Sequence, residues 1–130
     1  MIDQMLAYMW TFIGSTPYKL GANVIQDGGL DCSAYMLEGL RSIGKWGKTD
    51  ARAIDIYNAS PRLGKIIPIG SKFLRGDILF YGSSVSDITH VNCVWNETQI
   101  IEAGGNDKDG MVRVRPITWR KDLVAILRLS

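Results

Sequence analysis

Histidine occurs once in this chain, at position 90, and cysteine only twice, at 32 and 93. A zinc centre needs three or four convergent ligands, so this supply leaves Cys32, His90 and Cys93 as the only soft candidates and no metal site is expected. Two cysteines also cannot build the disulfide framework of a small secreted domain, and both read as reduced thiols. No apolar run approaches the ~20 residues of a membrane span, which argues against membrane insertion. Charge of one sign is missing as well: Lys and Arg total 15 against 13 Asp and Glu, a net +2 that announces no nucleic-acid partner. Met1-Ile2-Asp3-Gln4-Met5-Leu6 lacks a basic n-region and an Ala-x-Ala site, so the expectation is synthesis in a bacterial cytoplasm without a signal peptide. G-x-S-x-G, Walker and G-x-G-x-x-G motifs are absent, no carboxylate pair stands out for glycosidic chemistry, and no cofactor is implied. Repeats, low-complexity tracts and linkers are missing too, and residues 1–130 read as a single domain.

What is present is a core. Apolar residues make up 46% of the chain, the ordinary share for a globular protein. Ile2, Met5, Leu6, Met9, Phe12 and Ile13 recur at helical spacing, so the pattern predicts a helix over 2–13 that ends at Gly14. A loop follows, and a second helix starts after Asp31 and stops near Gly44. Thr49 or Asp50 caps a short third helix over 51–58. Beyond Pro61 the period changes to that of strands: a short one at 65–68, then 77–81, 88–95, 99–103, 111–117 and 123–129. Connections this short favour hairpins, which gives an α+β fold: N-terminal helices packed on an antiparallel sheet of five to six strands in a meander.

The chemistry gathers around Gly28-Gly29-Leu30-Asp31-Cys32-Ser33. Asp31 stands where an N-cap belongs, and Cys32 falls in the first helical turn, beside the positive end of the helix dipole, which favours thiolate. Met36, Leu40 and Ile43 continue its stripe, aiming the sulfur toward whatever the helix packs on. Taken alone, a free cysteine is more often a small buried hydrophobe. His90 opens a strand on which Asn92 and Val94 share its face, while Val91, Cys93 and Trp95 lie opposite. A Cys–His pair in hydrogen-bond reach is the smallest unit that delivers a thiolate and protonates a leaving group. A third group then has to hold the other imidazole nitrogen. Glu102 on the next strand is one choice, although on charge alone it reads as a solvated residue near a strand end. Asn92 and Asn106 are its rivals. Arg113 and Arg115 share one strand face, which reads as solvated, or as a meeting point for an anionic ligand.

Five segments fall in one order: Pro17-Tyr18-x-x-Gly21, Leu30-Asp31-Cys32-Ser33, Arg75-Gly76-Asp77-Ile78-Leu79-Phe80-Tyr81, His90-Val91 and Ile100-Ile101-Glu102-Ala103. Over residues 14–105 that order resembles the NlpC-type cell-wall peptidases, papain-like cysteine endopeptidases that cut peptidoglycan stem peptides. The resemblance implies a papain-like core with Cys32 as nucleophile, His90 as general base and Glu102 in the third catalytic position. It also implies that Tyr18 lines the site and that Asp31 and Ser33 contact substrate, Asp31 being a partner for a stem-peptide ammonium. Two departures stand out. Ala34 occupies a place usually held by Gly, and Glu102 one usually held by His. The related CHAP-type enzymes use acidic or Asn partners, which keeps a muramoyl-alanine amidase in view beside the family's preferred D-glutamyl–diamino acid bond. The same fold with a dead site, serving as a structural or interaction protein, is the reading from another class. Bacterial peptidoglycan is the expected partner. A phage lysis or tail-associated role, with phage tail proteins as further partners, completes the expectation.

Overall fold

A computed structural model of the chain describes residues 1–21, 29–105 and 110–130. The first helix, α1, runs Ile2–Trp10 and buries Met5, Leu6 and Met9 completely. It stops short of the predicted residue 13. The Thr11 hydroxyl bonds back to the Tyr8 carbonyl at 2.7 Å, and the amide of Gly14, at φ +76°, donates to Val112 instead of to the helix. Phe12 stays buried all the same, because the turns that follow keep it on the core side.

Helix α2, Cys32–Ser42, begins at the predicted cap. It crosses α1 where Gly39 faces Met9, a position at which any added Cβ would collide with the Met9 sulfur. The Tyr35 hydroxyl fixes the crossing by donating to the Met9 carbonyl at 2.7 Å. Helix α3, Ala53–Asn58, starts later than expected. The Thr49 carbonyl is occupied by Arg41 and Trp46, and Asp55 closes the new start by accepting the Arg52 amide at 2.9 Å. A fourth helix, α4 at Ser60–Leu63, was not foreseen: Pro61 sits in its first turn, where a missing amide costs no hydrogen bond.

Six antiparallel strands follow: β1 Gly64–Ile67, β2 Ile78–Ser84, β3 Asp87–Asn96, β4 Gln99–Gly104, β5 Met111–Pro116 and β6 Leu123–Leu129. Their order, β1-β6-β2-β3-β4-β5, makes a meander of β2 to β5 only; β6 returns to lie between β1 and β2. The architecture is therefore α+β, with helices against one face of a six-stranded sheet. On that face Phe80, Val91, Cys93, Ile101 and Ala103 join the helical side chains in the main core. Leu79, Tyr81, Val94, Ile100 and Ile126 form a smaller cluster on the other face. Between β2 and β3 the register passes from Tyr81–His90 to Gly82–Ile88, skipping Thr89. This bulge breaks the alternation at the strand end, so Ile88 and Val91 both enter the helical side while His90 keeps the face of Asn92. Among the described residues no helix is long and apolar enough to cross a membrane.

Candidate active site

Helix capping places the thiol. Asp31, extended at φ −86° and ψ −177°, accepts the Ala34 amide on Oδ1 at 2.8 Å, and the Ser33 hydroxyl donates to the same oxygen at 3.1 Å. Cys32 is thereby fixed as the first helical residue, half-buried, at the edge of a cavity of about 340 Å³ that Tyr18, Asp31, Ser33, Arg52 and His90 also line. The stripe Met36 and Leu40 is fully in the core, so the thiol stands at the mouth of the helix–sheet interface and not beneath it. Tyr18 is carried by a short parallel bridge to Leu30, with Leu30 donating to the Pro17 carbonyl at 3.0 Å. That bridge ties the loop before the site to the residue preceding the cap.

The imidazole sits at the start of the regular part of β3, only 9% exposed. Its Nε2 lies 2.8 Å from Glu102 Oε1, which leaves Nδ1 for the sulfur. Burial alone would lower the His90 pKa; its bonds to the Cys32 and Glu102 side chains, and their charges, outweigh burial and raise it to about 9. Burial likewise opposes ionisation of Glu102, but the His90 bond and charge, then those of Arg113, hold its pKa down at about 2. The pair is an imidazolium and a carboxylate at neutral pH.

Glu102 is 1% exposed, so the reading of a solvated strand-end acid is overturned. The β4–β5 register sets it opposite Arg113, whose Nε and Nη2 both donate to Oε2, at 3.2 and 3.1 Å. Gly104 makes room for this pair: a Cβ there would come within 2.6 Å of Oε2 and 3.0 Å of Arg113 Nη2. Asn92 makes no hydrogen bond to the imidazole. Its amide sits 3.4 Å from Glu102 Oε1 and 3.0 Å from the Tyr81 hydroxyl, a prop for the carboxylate and not its rival. Asn106 lies outside the described residues.

Arg113, read from the sequence as solvated or as meeting an anionic ligand, is instead paired with the buried Glu102 carboxylate. Its pairing was available as an opposite-charge cross-strand match once the 99–103 and 111–117 strands were taken as a hairpin, but only with the register known. Trp119 and Arg120, on the turn before β6, also reach the surroundings of the imidazole and carried no signal in the sequence.

Chemically, the arrangement is a thiol at a helix start, an imidazole in the same cavity bonded to a buried carboxylate, and a first-turn amide with no intrahelical acceptor. That set can hold a thiolate–imidazolium pair, stabilise an oxyanion at the Cys32 amide and pass a proton to a leaving nitrogen.

The sequence model of the NlpC/P60 family matches residues 15–128. Among solved structures, the NlpC/p60 domain of the peptidoglycan hydrolase SagA matches with a TM-score of 0.79 at 22% identity, covering 99% of both chains. The P60 domain of an antigen from M. avium subspecies paratuberculosis matches at 28% identity and a TM-score of 0.75, over 98% of this chain and 93% of that one. RipD from Mycobacterium tuberculosis, described as a non-catalytic NlpC/p60 domain protein adapted to peptidoglycan binding, matches at 19% identity and a TM-score of 0.76, over 99% and 97%. No curated protein matches the sequence.

Proposed function

The chain belongs to the NlpC/P60 family, and on that premise we propose that it is a cysteine peptidase that hydrolyses amide bonds in peptidoglycan stem peptides. The single observation that carries this reading is the chain's only histidine, which lines one cavity with Cys32 and is hydrogen-bonded at Nε2 to a buried carboxylate. The Cys32 thiolate attacks the scissile carbonyl, and the oxyanion that forms faces the Cys32 amide. His90 gives its proton to the leaving amine, the C–N bond breaks, and an acyl-enzyme remains. The now neutral imidazole takes a proton from water, whose hydroxide attacks the thioester and releases the acid and the thiolate. Glu102 keeps the ring oriented throughout and stabilises its charged form.

The preferred bond in this proposal joins γ-linked D-glutamate to the diamino acid. Asp31 keeps Oδ2 for a substrate ammonium while Oδ1 caps the helix, with Tyr18 and Ser33 beside it in the same cavity. Digestion of purified peptidoglycan by the wild-type protein and by Cys32→Ala, with fragments read by mass spectrometry, tests the reading. Fragments from wild type alone support it, and their masses separate this bond from a muramoyl-alanine amide. Walls of several chemistries left intact by a folded protein that still binds them would overturn it in favour of a binding domain.

A further inference from the structure

We propose that a second cavity, beyond His90, is a carboxylate subsite for the leaving-group half of the substrate; the assignment of halves rests on the peptidase reading above. This cavity measures about 300 Å³ and is bounded by Tyr18, His90, Glu102, Arg113, Trp119 and Arg120. It shares Tyr18, Thr89 and His90 with the cavity at the thiol, but Cys32 lines only the first. The two spaces meet at the imidazole. A general acid must reach the leaving nitrogen, so the leaving half of a substrate lies on the imidazole side of the sulfur. There it meets this wall.

The wall carries a surplus of positive charge. Among the described residues, His90, Arg113 and Arg120 stand against two carboxylates, Glu102 and Asp122. Glu102 is already shared between two cations, which blunts its repulsion of an incoming anion. Each guanidinium donates through Nε and Nη2: Arg113 to Glu102, and Arg120 to Asp122 at 2.9 and 2.7 Å. Among the described residues no carboxylate pairs with Nη1 of either. Trp119 orders the patch, with the Arg113 and Arg115 guanidiniums 5.2 and 4.4 Å from its ring, and Arg115 adds a further positive charge there and a buried Nε without a partner. A carboxylate on the residue that departs meets the guanidiniums of Arg113 and Arg120 that line this cavity, and Arg120, outside the Glu102 pair, is its principal ligand.

The test is calorimetric binding to the Cys32→Ala protein, which separates recognition from cleavage. The probes are L-alanyl-γ-D-glutamyl-L-lysine and its C-terminal amide. The acid is expected to bind about tenfold tighter, the scale of one charge-assisted hydrogen bond. Adding Arg120→Gln removes the preference, whereas Lys121→Gln, an exposed cation next to it in sequence, leaves it intact. Arg120→Lys keeps the charge without the planar fork and lowers the ratio without abolishing it; this variant decides if the glutamine one does not fold. Equal binding of acid and amide, no binding of the acid, or an unchanged ratio in the Arg120 variants would overturn the subsite. Intact peptidoglycan together with a retained acid preference would instead count against the peptidase reading alone.

Discussion

A single imidazole that lines a cavity with the thiol and is bonded to a buried carboxylate makes Glu102 the residue whose charge can be tested most directly. Glu102→Gln keeps the shape of the side chain and removes its negative charge. The His90 pKa, held at about 9 partly by that charge, then falls toward the ordinary value near ~6.5. Since the imidazolium is the form that protonates the leaving amine in the proposed mechanism, the alkaline limb of kcat/KM is expected near pH 9 in the wild type and at lower pH in the variant. The loss of orientation adds a fall in kcat/KM of roughly 10- to 100-fold, the usual range for removing such a supporting partner. Arg113, with 18% of its side chain exposed, is left without its anion and lowers stability as well. An alkaline limb that stays in place would mean that Glu102 packs near the ring without acting on it.

At the scale of elements, the start of α2 has a structural duty in Asp31, to which the proposed function adds a chemical one. Asp31→Ala removes the cap on the Ala34 amide and is expected to cost about 1 kcal/mol, a shift of a few degrees in Tm. Asp31→Asn retains a capping oxygen and most of the stability, so a larger loss of peptide affinity than of Tm in that variant assigns the carboxylate to substrate. Scanning calorimetry beside peptide binding reads both. The end of β4 offers a second case: Gly104→Ala pushes a methyl into the Glu102–Arg113 pair and is expected to destabilise by about 1–3 kcal/mol, with activity falling further than Tm because the displaced group is the one that holds His90. These two ends also show what a sequence can disclose. The α2 start was legible because a cap, a cysteine and an apolar stripe are all local signals, and β2 to β4 were legible from alternation between turns. The place of β6 was not, since inserting Leu123–Leu129 between β1 and β2 is a long-range choice that hairpin lengths do not encode. The same limit hid Arg113, whose role needs the β4–β5 register, and the burial of Glu102, which charge alone argues against. The late start of α3 depended on where Arg41 and Trp46 place their donors, again a tertiary matter.

For the whole molecule, the buried His90–Glu102 pair ties folding to pH, and the signs follow from the two shifts. Glu102 is lowered from 4.5 to about 2, so its contribution is fully present above pH 4.5 and is lost as pH falls through about 2. His90 is raised from 6.5 to about 9, so its contribution is fully present below pH 6.5 and is lost as pH rises through about 9. Cys93, fully buried, has its thiol pushed up from 9.0 by desolvation; once the unfolded thiol ionises, at and above that value, stability falls further with pH. The Tm is therefore expected to be highest between about pH 4.5 and 6.5 and to decline on both sides. Because Glu102→Gln eliminates one of these titrations and shrinks the other, its profile should be lower and flatter from pH 3 to 9, while the further decline that comes from Cys93 above pH 9 persists. Differential scanning calorimetry of both proteins across that range measures this directly. A wild-type Tm that stays level between pH 6.5 and 9 would show that the unfolded chain holds the His90 proton as tightly as the folded one, and the electrostatic account of the site would fall with it.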